Sequence, residues 1–307
     1  MCVLSLSSCA KGRGYVKLFG EKIPEGVYNY YLAEASKESD EAQTAAEYKV
    51  KNYIATARLM EKEGITLSTN YKRMAAEETE KLWSLFSSFY EEAGVSKQDV
   101  AEIKKSEMMK KELLHFYYGA GGRGEVSQET LRSEFAKKYV GFKAIEGSFI
   151  KQSDMGESTE MAEPEKKALR KKFEAMAKKV NSGTDIDTVN ESYNESLGLI
   201  VTQSLSLNVV KENDPLYSAD FFSEVAKLSY GEAAVIESGS SIYMLQRVRA
   251  DSDDETFSLY AAEVLEGMKM ASVEKKIKKL TGLDLREFDD AIVFKVALMV
   301  KKYLDAK

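Results

Sequence analysis

The chain of 307 residues carries a single histidine, His115, and two cysteines, Cys2 and Cys9, both close to the N-terminus. The body therefore has no disulfide framework and no cysteine metal site. Chemistry that needs paired imidazoles is excluded, because residues 116–307 contain no histidine. Proline is also scarce, at three residues. Since proline breaks helix interiors, this scarcity suits a helix-rich chain. There is no excess of positive charge: 44 Lys and Arg stand against 50 Asp and Glu, for a net charge of −6. Nucleic acid, which is gripped by basic surfaces, is not an expected partner. No apolar run reaches the roughly 18 residues that a membrane-spanning helix needs.

What is present is ordinary core material and a great deal of mixed charge. Seventeen Tyr, 13 Phe and 12 Met accompany an overall hydrophobic share of 44%. Lys and Glu are interleaved along the chain, the pattern of solvated helix faces. The length suggests two domains at about 100–200 residues each.

The first residues resemble an address. Leu6-Ser7-Ser8-Cys9 resembles a bacterial lipobox, in which small residues precede a cysteine that receives lipid. Cys9 is the expected lipidation site, and residues 1–14 are expected to be a signal remnant and tether. The stretch before Cys9 contains no Lys or Arg, so the basic start of a signal peptide is not seen in it.

Helical periodicity dominates the next hundred residues. A short strand at Tyr15–Phe19 and a glycine turn lead to a helix entered near Pro24. Val50, Tyr53, Ile54, Ala57 and Met60 give one face of a helix over about 44–63, which Gly64 stops. Leu82, Leu85, Phe86, Phe89 and Tyr90 mark the buried face of a helix over about 69–93. Ser96, with Asp99 in the first turn, predicts the start of a helix that runs to Tyr118. Ser127 predicts another, bearing Leu131, Phe135 and Tyr139.

The texture then changes. Phe142–Ser153 reads as a strand. Pro164 opens a helix with Leu169, Phe173, Met176 and Val180 on one face. A short helix over 186–193, a β-like stretch over 198–207 and a helix over 218–228 follow. Residues 233–236 and 242–248 flank Ser238-Gly239-Ser240-Ser241, a hairpin signal. Two helices, over about 255–280 and 284–305, end the chain.

This order and its local words resemble the SurA/PrsA class of extracytoplasmic foldases. The resemblance covers roughly residues 15–250. It rests on the start at Val16–Leu32 and on the join from Val126-Ser127 to Lys143-Ala144-Ile145. It rests also on the turn Asn181–Ile186, on Phe221 through Leu228, Gly231 and Glu232, and on the closing strand 239–248. It implies an α+β fold, with a parvulin-like domain of small antiparallel sheet and flanking helices inserted into a mostly helical chaperone domain. The implied borders are 15–146 for the N-terminal helical part, 147–252 for the parvulin-like unit and 253–307 for C-terminal helices that complete the chaperone domain.

Parvulins twist the X-Pro bond in an apolar groove between two histidines. On this alignment Phe149 and Met244 occupy the two histidine positions, Phe221 falls on the proline-contacting Phe, and Leu216 lies near a Met position. These four are the expected peptide-groove residues, with no catalytic residue assigned, no metal and no cofactor. The bland reading is that all four fill a small domain's core. His115 is expected to be structural. Gly119–Gly124 lacks the Gly-Lys-Ser/Thr ending of a phosphate loop. The basic run Lys166–Lys179 reads first as a solvated helix face, and second as a contact for anionic lipid or wall polymer. Trp83, Phe86, Phe89, Tyr90, Phe116, Tyr117 and Tyr118 read first as core, and second as a surface for unfolded chains.

The leading expectation is an ATP-independent folding factor on the outer face of the cell membrane. It binds unfolded or secreted client polypeptides and retains little isomerase activity. The alternatives are an isomerase with an atypical site, using Tyr243 or Thr202 as a polar contact, and a lipoprotein scaffold for one dedicated partner.

Overall fold

The computed structural model describes residues 15–18, 21–36, 42–152, 158–200 and 203–281. Cys9, Thr202 and the helix expected over 284–305 lie outside them. The fold is α+β. It divides into two compact units, one built from the chain up to Glu125 together with residues from Glu266 on, the other from Val126–Leu265.

The first unit opens with a hairpin of β1 (Tyr15–Leu18) and β2 (Glu21–Pro24). Four helices follow: α1 (Glu25–Ser36), α2 (Ala42–Lys62), α3 (Thr69–Glu92) and α4 (Lys97–Tyr118). Their starts are set by side chains that satisfy orphan N–H groups. The Ser68 hydroxyl accepts from the Tyr71 N–H. Ser96 and Asp99 form a capping box, in which each side chain accepts from the other's backbone N–H. Apolar faces at helical spacing then meet in one core, where Val27, Tyr28, Leu32, Val50, Ile54, Tyr90 and Ile103 are buried. Helix α3 leaves helical geometry at Phe86 (φ −133°, ψ 15°), which puts Leu85 and Phe86 at the surface. Phe89 and Tyr90, expected on the same stripe, are buried.

The second unit begins with α5 (Gln128–Lys138), capped by Ser127. It continues through β3 (Tyr139–Ser148), β4 (Ile150–Gln152), β5 (Ser158–Glu160), α6 (Glu163–Asn181), α7 (Ile186–Glu195), β6 (Asn208–Lys211), α8 (Phe221–Lys227), β7 (Ala233–Ser238) and β8 (Ser241–Val248). Helix α9 (Asp254–Lys278) starts in this unit and ends in the first. The sheet is antiparallel in the order β6-β3-β8-β7. Helices α6 and α7 pack on one face and α8 on the other.

Two expectations about strands are corrected. The first strand begins at Tyr139 rather than Phe142, because Tyr139 and Val140 pair with Lys211 and Val210. It ends at Ser148, where Phe149 turns away to close a separate small ladder of β4 and β5. The β-like stretch over 198–207 is not a strand in its described residues; pairing begins at Asn208. The second unit also extends past the borders expected at 147 and 252. It takes in all of β3, and α5 together with the first turns of α9. Phe135 of α5 lies 5.8 Å from the Phe257 ring and 5.6 Å from Tyr260.

Candidate functional site

Strand side chains alternate between faces, so the register of β3 with β8 decides what each face presents. Ile145 pairs with Met244 and Gly147 with Ile242, and these residues share a core with α6 and α7. Phe142 pairs with Arg247, Ala144 with Leu245 and Glu146 with Tyr243. This second set lies on the α8 face.

An aromatic cluster is assembled there. Tyr217 lies 4.2 Å from Phe221, nearly parallel to it. Phe142 meets Phe221 edge-on at 5.5 Å, and Tyr243 does so at 5.7 Å. Phe221 and Phe142 are fully buried, whereas Tyr217, Phe222, Ile236 and Tyr243 are half-buried. The cluster therefore has an apolar floor and a ring of partly accessible edges. Arg247 fastens the far end of α8 to the sheet by donating from Nη1 to the Ala226 carbonyl at 2.6 Å. At the rim, the Glu146 carboxylate accepts from the Ser241 hydroxyl at 2.7 Å and from the Tyr243 hydroxyl at 3.3 Å.

Burial, followed by neighbouring phenols and carboxylates, pushes the Tyr217 phenol up; burial and Glu146 push Tyr243 up. Both phenols stay protonated at neutral pH and can donate hydrogen bonds. The arrangement offers ring faces for apolar side chains, two hydroxyl donors and one carboxylate acceptor. It offers no imidazole. His115 sits on α4 in the other unit, 6.1 Å from the Tyr71 ring.

The four residues expected to line one groove are not brought together. Phe149 and Met244 are buried on the α6–α7 face. The Phe149 ring lies under Arg170, whose guanidinium is 5.1 Å from the ring centroid. Phe221 is buried on the opposite face, and Leu216 is 82% exposed. The reason is the period of two: Met244 and Tyr243 are neighbours in sequence and point to opposite sides. The bland alternative, that these residues are core, holds for Phe149, Met244 and Phe221. Sequence reasoning missed Phe142, Tyr217, Phe222 and Ile236, and named Tyr243 only as a polar contact. Alternation counted outward from Tyr243 would have found Phe142's face, but only with the register known.

Among the other aromatic residues singled out, Tyr117 is buried, while Phe86 and Phe116 are 41% and 38% exposed. In the basic run, Lys166 pairs with Glu160 and Glu163, and Arg170 with Glu237. Among the described residues no helix is long and apolar enough to cross a membrane.

The chain is similar to the PrsA foldases. The foldase protein PrsA from Lactococcus lactis is 14% identical, with 94% of this chain and 98% of that one covered and a TM-score of 0.40. PrsA from Streptococcus pneumoniae is 12% identical over 94% and 93% of the two chains, with a TM-score of 0.36. PrsA from Bacillus subtilis is 14% identical over 91% and 96%, with a TM-score of 0.35. No family model and no curated protein sequence matches the chain.

Proposed function

We propose that this protein is an extracytoplasmic folding factor that binds unfolded client polypeptides without ATP and has little prolyl isomerase activity. The observation that carries the reading is the α8 face of the sheet, where Tyr217, Phe222 and Tyr243 present partly accessible rings over a buried floor of Phe142 and Phe221. Aromatic rings with a polar tip give large contact area to an apolar peptide and a hydrogen bond to its backbone. Such a platform tolerates many sequences, which suits a protein that meets varied unfolded chains. The sequence words that resemble the SurA/PrsA class support the same reading. Lipid attachment at Cys9 would hold the molecule at the outer face of the membrane, with residues 10–14 as tether.

Low isomerase activity follows from the residues that surround the cluster. No imidazole is available beyond His115, and the phenols there are held neutral. The Tyr243–Glu146 contact favours a second reading, in which a phenol supplies the polar contact for a slow atypical isomerase.

The test is aggregation of a chemically unfolded client, followed by light scattering at increasing ratios of this protein to client. Protection near stoichiometric ratios is expected. Absence of protection at excess overturns the proposal. A proline-limited refolding assay separates the two readings, since clear catalysis at low protein-to-client ratio favours the isomerase.

A further inference from the structure

The first unit contains a cavity of about 470 Å³, within the size range of small-molecule and side-chain binding sites. Its walls come from α1, α2, α4 and α9. Tyr30, Tyr31 and Tyr53 supply rings, and Glu34, Glu107 and Glu274 supply carboxylates. The rings are set at angles to one another. Tyr30 and Tyr31 are 5.7 Å apart and close to perpendicular, and Tyr31 and Tyr53 are 6.3 Å apart at 63°. Ring faces therefore point in more than one direction, as in sites that surround a cation.

Two of the carboxylates are already engaged by the fold. Glu34 accepts from the Tyr90 hydroxyl at 3.0 Å, and Glu107 from Lys104 at 2.8 Å. Glu274 has no ion-pair partner among the described residues. Lys49 and Lys110 also line the cavity. The Tyr30 phenol is pushed well above its ordinary value by burial and then by the negative charge of Glu34 and Glu107; burial and Glu107 act on Tyr31 in the same direction. Glu34 and Glu107 thus stand close enough to the phenols to act on them. An anion entering the cavity meets carboxylates and the electron-rich faces of the rings. A cation is favoured by both.

We propose that this cavity binds the arginine or lysine side chain of an extended peptide segment. The cation stacks against the tyrosine rings and pairs with Glu274, while Lys110 can donate to the peptide's carbonyl oxygens. That the cation arrives on a peptide rests on the folding-factor reading. The cavity's preference for a cation rests on its own residues.

The experiment measures fluorescence anisotropy of short unstructured peptides, alike except for one central arginine, citrulline or glutamate, titrated with the full-length protein. Citrulline keeps the shape of arginine and removes the charge. The arginine peptide is expected to bind about tenfold more tightly than the citrulline peptide and to lose this advantage at high salt. Glu274→Gln and Tyr53→Leu are each expected to weaken the arginine peptide several-fold with an unchanged far-UV circular dichroism spectrum. If Tyr53→Leu perturbs folding, Glu274→Gln carries the test alone. Equal affinity for arginine and citrulline, or full arginine affinity in a folded Glu274→Gln protein, overturns the proposal. Arginine selectivity without protection of an aggregating client upholds the cavity and sinks the folding-factor reading. Protection that is indifferent to Glu274→Gln, with no arginine selectivity, does the reverse.

Discussion

Tyr217 lies flat against Phe221, with ring centroids 4.2 Å apart and planes 16° from parallel. Phe221 is fully buried and Tyr217 only half so, which separates a structural ring from an accessible one. Tyr217→Ala is expected to weaken client binding several-fold while costing about 1 kcal/mol of stability, the scale of one aromatic contact. Phe221→Ala is expected to cost about 3–5 kcal/mol through the cavity it leaves. Peptide titration and urea denaturation on both variants check the contrast. Equal losses of stability would show that Tyr217 is core as well.

Installing histidines at the two positions suggested by the family resemblance is not expected to create an isomerase. Phe149→His and Met244→His place imidazoles in the core against α6 and α7, on the side of the sheet opposite Phe221. The double variant is expected to lose on the order of 2–4 kcal/mol, from lost packing and buried polar groups. A proline-limited refolding assay should show no gain over the parent. A clear gain in rate would contradict the placement of these two residues.

Gly147 is a point where the sheet and α6 come too close for a side chain. A Cβ there would meet the Phe173 Cζ at 2.7 Å and the Ile242 Cγ2 at 3.1 Å. Gly147→Ala is expected to cost about 1–3 kcal/mol by overpacking. Adding Phe173→Leu should recover part of the loss caused by Gly147→Ala. The sole tryptophan, Trp83, belongs to the first unit, so near-UV tyrosine dichroism is the appropriate signal for this unit.

Asp187 ties the helix α7 to the sheet and carries a pH dependence. Burial raises its carboxyl, but the Leu205 N–H at 2.7 Å and Lys143 at 2.9 Å outweigh this and hold it below the ordinary 3.8. A depressed acid stabilises the folded state above its unfolded value. That contribution is complete above about pH 4 and is lost as pH falls through the folded value. Asp187→Asn is expected to cost about 1.5–3 kcal/mol at neutral pH. It should also flatten the acid limb of a stability-against-pH curve below pH 4. An unchanged acid limb would remove Asp187 from this role.

The capping box of α4 gives a prediction for the first unit. Ser96→Ala removes the acceptor for the Asp99 N–H and is expected to cost about 1 kcal/mol. Trp83 fluorescence during denaturation reports it. An unchanged midpoint would mean that Asp99 alone sets the helix start.

Much of the architecture was legible in the sequence for local reasons. Ser96, Ser127 and Pro164 mark helix starts because capping and a fixed φ act within one turn, and each falls at the start of its helix. The stripe Leu169, Phe173, Met176 and Val180 marks the inner face of α6 because a helix has one period wherever it packs. The absence of any histidine after His115 is a property of the sequence alone and limits the chemistry of the second unit whatever its shape. The tertiary structure decided which face of the sheet each strand residue joins. A period of two makes that choice depend on register, and register is fixed by partners far away in the chain. Met244 therefore went to the core with α6 and α7, and its neighbour Tyr243 to the α8 face. The same holds for Glu274 and Tyr53, which lie far apart in sequence and share a cavity only because their helices pack into one unit.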